Sequence, residues 1–129
     1  MKRYIHEAHS EEVLRRCAKA SKIQLSALCV PELISGFQRL KREGKITDDV
    51  YLLLKEDFAE DIEEALVAEA ARDVMKEAVR CVEKAGIKAS DAIHIATALR
   101  LGSDLFMTAD HAQGEAARTM GLKCEVVGE

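Results

Sequence analysis

Apolar positions along the chain fall into two rhythms, a three-to-four spacing in the longer stretches and short unbroken runs between them. After Ser10, a cap residue, Val13, Leu14 and Cys17 mark a helix through about Lys19. Ile23 to Leu25 is a short buried run that Ser26 closes. A helix follows from Cys29 to Glu43, with Pro31 tolerated in its first turn and Gly44 suited to the left-handed stop. Thr47, Asp48 and Asp49 open another, carrying Val50, Leu52, Leu53 and Leu54, while the acid-rich DFAEDIEE beyond it fits no single element. The spacing predicts a helix over Ala70 to Lys84, with Val74, Ala78, Val79 and Val82 inward and a stop at Gly86. Ser90 then caps DAIHIATALRL, whose apolar residues wrap most of the circumference, as in a helix packed deep against a sheet. Leu105 to Met107 reads as a strand, His111 to Met120 as a helix and Lys123 to Val127 as a last strand.

Short apolar runs alternating with helices predict an α/β fold, a parallel sheet covered on both faces. At 129 residues, 48% hydrophobic with one Pro and seven Gly, the chain is expected to form a single domain around one core. A net charge of −4 excludes coating of nucleic acid or lipid by bulk positive charge, yet leaves room for cleavage of nucleic acid aided by cations. No apolar run approaches the roughly 20 residues of a membrane span, and MKRYIHEAHS lacks a signal-peptide core, so a cytoplasmic protein with no membrane partner is expected. Cys17, Cys29, Cys81 and Cys124, widely spaced, read as reduced thiols.

Three acids stand where such a sheet concentrates chemistry, at strand ends or in the first turns of flanking helices: Glu32, Asp91 and Asp110. Each also has an ordinary structural role. A carboxylate in a first helical turn is favoured by about 0.3–1 kcal/mol, and Asp110 with Gln113 has the D-x-x-Q capping-box spacing. If the three converge, mutual repulsion favours a bound hard cation such as Mg²⁺ or Mn²⁺, which binds phosphate oxygens and waters and promotes phosphodiester hydrolysis.

LSALCVPELISG (Leu25 to Gly36), ASDAIHIATAL (Ala89 to Leu99) and DLFMTAD (Asp104 to Asp110) resemble three successive motifs of the PIN-domain ribonucleases, in particular the VapC-type toxins of toxin-antitoxin systems. The resemblance implies a three-layer αβα sandwich with a parallel sheet and a Mg²⁺- or Mn²⁺-dependent endonuclease acting on RNA. It maps the family's second, third and fourth acidic positions onto Glu32, Asp91 and Asp110, and implies an antitoxin partner and a homodimer. The chain enters the family pattern at Met1-Lys2-Arg3-Tyr4, so the first central strand and first catalytic Asp are expected to be absent, and Glu7, Glu11 and Glu12 do not replace that Asp. A gene start assigned too late, at a GTG codon, is the expected cause. A non-catalytic PIN-like module that binds protein is the rival reading, and a small-molecule phosphatase lacks the nucleophilic Asp it would need.

Supporting roles fall to Thr108, as donor to a metal-bound water or phosphate, to Ser26 near its strand end, and to His94, one helical turn after Asp91. Their ordinary alternatives are a turn, a cap and a hydrogen-bonded buried imidazole. His6 and His9 read as surface residues. Arg39, Lys41, Arg42 and Lys45 complement a helix C-terminus, Arg39 and Lys41 being the candidates for phosphate contact. The acidic run Glu56 to Glu64 reads as an exposed face that would attract a basic partner such as an antitoxin tail. With no Trp, two Tyr and three Phe, the chain offers no base-stacking platform.

Overall fold

The structure, a computed structural model, describes residues 24–127. The helix expected after Ser10, Cys17, His6, His9 and the glutamates before residue 13 lie outside them. In chain order the elements are β1 (Gln24–Ser26), α1 (Cys29–Arg42), α2 (Asp48–Glu64), β2 (Leu66–Ala68), α3 (Arg72–Ala85), α4 (Ala89–Leu101), β3 (Phe106–Thr108), α5 (His111–Thr119) and β4 (Cys124–Val126). The described strands make two pairs, β1 with β2 and β3 with β4. Packing divides the chain into two compact units, one holding Cys29–Val67 and the other Gln24–Leu28 with the residues from Ala68 onward.

In the first unit, α1 presents Leu33 and Phe37 one turn apart, and both are buried against Phe58 of α2. Val30, Ile34, Tyr51, Leu54 and Ile62 flank them. Burial of a side chain of this size contributes about 1.5–3 kcal/mol. Tyr51, Leu54, Phe58 and Ile62 recur every three or four residues, which explains why DFAEDIEE, unassigned from its composition, continues α2 as far as Glu64. Thr47 caps that helix, its Oγ1 accepting the Val50 N–H at 3.2 Å. Gly44, with φ +74°, takes the left-handed turn after α1.

In the second unit α3 and α4 pack together, Val74, Ala78 and Cys81 lying in one core with Ala92, Ile95, Ala96 and Ala98. The small residues of α4 let the two backbones approach closely. Arg100 at the end of α4 pairs with Asp73 at the start of α3, Nε to Oδ2 at 3.2 Å, so the two helices run antiparallel; a pair this exposed contributes at most about 1 kcal/mol. α4 also lies against β1, and the Ser103 hydroxyl just past it bonds Gln24 Oε1. β3 and β4 are parallel with Met107 opposite Glu125, extended by the Val127 N–H donating to the Thr108 carbonyl at 2.8 Å. Ala116 and Ala117 of α5 close the core over them.

Three local expectations are corrected. Val79 and Val82, expected inward, are exposed: α4 covers the arc of α3 that carries Val74, Ala78 and Cys81, and the apolar surface of α3 is wider than that arc. Ser90 is not the cap of α4, because the Ala92 N–H already reaches the Lys88 carbonyl at 3.0 Å, making Lys88 the cap and Ser90 a first-turn residue. Strand β2 was not expected, since three residues with no alternation carry no periodic signal.

Gly114 sits where α5 meets the sheet, and a Cβ built there collides with Cγ2 of Val126 while touching the Thr108 methyl and the Cys124 sulfur. Gly36 in α1, by contrast, has open space around its Cβ position. Gly114→Ala is therefore expected to destabilise the protein by about 1–3 kcal/mol through overpacking, whereas Gly36→Ala stabilises it by about 0.5–1 kcal/mol, both read from urea unfolding midpoints. Cys29 is a buried cysteine outside any disulfide, and burial pushes its pKa up from 9.0 to about 11, with the Glu32 charge acting in the same direction. Between those values the folded thiol keeps a proton that the unfolded chain has released, so its contribution to stability is lost as pH rises from about 9 through about 11. Cys29→Ala should flatten that alkaline fall when urea midpoints at about pH 8 and about pH 10.5 are compared with those of the unaltered chain.

Candidate active site

The best-defined polar arrangement in the second unit lies just beyond the carboxyl end of β3. Thr108 is the last residue of that strand, and Asp110 is the N-cap of α5, with Oδ1 accepting the Gln113 N–H at 3.1 Å. The D-x-x-Q spacing thus forms its cap, but the reciprocal half takes another route. The Asp110 N–H donates to Thr108 Oγ1 at 3.0 Å, and the Thr108 hydroxyl donates to Gln113 Oε1 at 2.6 Å. Thr108 stands between the two partners of a capping box, so three side chains and two N–H groups hold one another. Asp110 itself is exposed, with Oδ1 engaged by the cap.

Asp91 is half-buried in the first turn of α4, and His94 stands one turn on, also half-buried. Both Asp91 and Asp110 are therefore at helix starts, where the partial positive charge of the unpaired N–H groups favours a carboxylate by about 0.3–1 kcal/mol. Glu32 is in the equivalent place on α1 in the first unit and is exposed. Ser26, buried at the end of β1, accepts the Leu28 N–H on its Oγ at 3.2 Å, the turn role that its position allowed. Lys41 is engaged within the first unit, its Nζ 4.8 Å from the centre of the Tyr51 ring and 3.8 Å from Asp48; Arg39 is exposed on the same helix.

No group of three or more His, Cys, Asp or Glu able to hold a metal ion gathers among the described residues. The donors that do stand at the helix starts are carboxylate oxygens, the chemistry a hard divalent cation takes, and Mg²⁺ commonly uses only one or two of them alongside waters and phosphate. The part that sequence reasoning missed is Gln113 as the support of Thr108, although the capping-box spacing signalled its contact with Asp110. No helix among the described residues is long and apolar enough to cross a membrane.

An α/β chain with helices around short parallel strands is consistent with a PIN-like αβα fold. The PIN domain family matches residues 4–119, and the chain belongs to that family. PIN domains are generally nucleases, and those nucleases generally use divalent metal ions. No curated protein matches the chain.

Because Asn caps a helix as well as Asp does, Asp110→Asn is expected to leave the unfolding midpoint unchanged, while Asp110→Ala lowers stability by about 1 kcal/mol. Thr108→Val keeps the shape but strands the Asp110 N–H and Gln113 Oε1, at about 1–2 kcal/mol. Thermal and urea unfolding of the three variants checks the arrangement independently of any activity.

Proposed function

We propose that the protein is a Mg²⁺- or Mn²⁺-dependent endoribonuclease, the toxin of a toxin-antitoxin pair, acting in the cytoplasm, with Glu32, Asp91 and Asp110 as its acidic residues. The observation that carries this reading is the pairing of the family match with the surroundings of Asp110, a carboxylate oriented by the Thr108 and Gln113 contacts. The chain path supports bringing Asp91 to the same end of the sheet. α4 leads through a four-residue turn, Gly102 to Leu105, into β3, whose Phe106 packs on the same core as Ile95. Ten helical residues from Asp91 to Leu101 rise about 15 Å, and five extended ones from Leu105 to Asp110 return about 16 Å. A return along the helix of that length would bring the two carboxylates to the same level.

A divalent cation, when bound, supplies positive charge to offset the phosphodiester and to lower the pKa of an attacking water. Asp91 and Asp110 would hold it, each from the start of a helix. Thr108 keeps Asp110 in place and has its hydroxyl proton committed to Gln113, so its part is positioning. His94 is placed to orient Asp91 from the same helix face. Arg39 offers a guanidinium to phosphate, whereas Lys41 would first have to leave Tyr51. The face of α2 bearing exposed Glu56, Asp57, Glu60 and Glu63, with Leu52 and Leu53 also exposed on that helix, suits a basic segment with apolar side chains, as an antitoxin tail would supply.

Cleavage of labelled single-stranded RNA in Mn²⁺ is the test. Activity should vanish with EDTA and fall by at least about a hundredfold in Asp91→Asn and Asp110→Asn, the latter with its stability intact. Cleavage that persists under chelation, or in both variants undiminished, overturns the reading.

A further inference from the structure

Basic residues recur at every fourth position along α3 and past its end: Arg72, Lys76, Arg80, Lys84 and then Lys88, the N-cap of α4, all of them exposed. Successive members stand about 6 Å apart along the helix axis and turn about 40° around it. The row therefore begins beside the exposed apolar stripe of Met75, Val79 and Val82 and ends on another face. Lys84 comes eleven residues, close to three turns, after Asp73, whose carboxylate reaches Arg100 of α4, so the row turns towards α4 as it advances. Because the two helices run antiparallel, that end of the row meets the start of α4, where Lys88 precedes Asp91 by three residues. Of the acids on α3, Asp73 is paired with Arg100 and Glu77 with Arg80, which leaves Glu83 to oppose the row. Among the described residues no ion pair engages Arg72, Lys76, Lys84 or Lys88.

We propose that this face of α3 is the track of the substrate strand: single-stranded RNA lies along it with phosphates on Lys76, Lys84 and Lys88 and bases against Met75 and Val79, and reaches the site at Asp91. The proposal rests on the nuclease reading for the identity of the strand and goes beyond it in naming where the strand lies. A step of about 6 Å is on the scale of one nucleotide of an extended strand, so cations and phosphates keep pace. In a chain of net charge −4, such a row gives a polyanion a local place to bind that bulk charge denies it. The apolar stripe decides between strand forms. A duplex has the denser charge and would gain more from a row of cations alone, but its base faces are stacked away. Only an unpaired strand offers them to the Met75 thioether and the Val79 methyls. An acidic peptide would meet the same cations, yet only a phosphodiester that follows the row arrives at carboxylates whose cation can act on it.

Binding of fluorescently labelled single-stranded RNA to the full chain in EDTA, read by anisotropy over a range of salt, tests the track without cleavage. Lys76→Ala combined with Lys84→Ala is expected to weaken binding about tenfold at low salt and to make the slope of log binding constant against log salt shallower by about 1.4, two phosphate contacts at about 0.7 each. Lys55→Ala, on the acidic helix α2, removes a charge elsewhere and should change neither. Single-stranded RNA should bind more tightly than a duplex of the same sequence, and Val79→Ser, at an exposed position, should narrow that preference. An unchanged slope in the double variant, an equal loss in Lys55→Ala, a duplex bound as tightly as the single strand, or a preference that Val79→Ser leaves intact overturns the proposal. A chain that binds RNA through the row but does not cleave it in Mn²⁺ refutes the nuclease reading and leaves the track standing. One that cleaves RNA while the double variant keeps the original slope refutes the track alone.

Discussion

The contact of α5 with the β3–β4 pair at Gly114 is the constraint from which the site's geometry follows. With no side chain at that position, the helix backbone lies directly on Val126, Thr108 and Cys124. The helix start is thereby seated beside the end of β3, close enough for Asp110 to cap α5 and for Thr108 to bond both ends of the cap. A larger residue would lift the helix off the sheet and open that ring of contacts before touching any functional group. Packing at one glycine and orientation of one carboxylate are in this sense a single arrangement.

The acids at the helix starts serve folding and chemistry together. A first-turn or N-cap carboxylate is stabilised by the unpaired N–H groups and stabilises them in return. A carboxylate is also the donor that a hard cation takes. Asp110 shows how both can be met, since the cap uses one oxygen and Thr108 joins its backbone N–H to the Gln113 side chain. In PIN domains, where divalent metal ions generally assist cleavage, such carboxylates need little dedicated scaffolding beyond the helices themselves.

The helices also differ in how their apolar surface is used. α4 is apolar on most of its surface and is buried on most of it, with α3 and β1 against it. α3 is apolar over a wider arc than α4 covers, leaving Met75, Val79 and Val82 to water. In α2 the apolar stripe is narrow and regular, while the remaining surface is dominated by acids.

Residue order alone determined most of the local structure. Gly44 and Gly86 end helices because they take the left-handed conformation cheaply, with φ of +74° and +68°. The parallel pairing of β3 and β4 followed from short apolar runs separated by a helix, and the cap at Asp110 from a four-residue spacing. Other features depended on contacts between distant segments. DFAEDIEE became helix because Phe58 and Ile62 meet Leu33 and Phe37, β2 formed beside β1 despite carrying no periodic signal, and Val79 and Val82 stayed in water because α4 reaches only part of α3. Most caps and turns are decided within a few residues of backbone and are legible in order alone, the cap of α4 at Lys88 in place of Ser90 being the exception. Which side of an apolar helix is covered depends on the width of its neighbour, a quantity that exists only once the chain has folded.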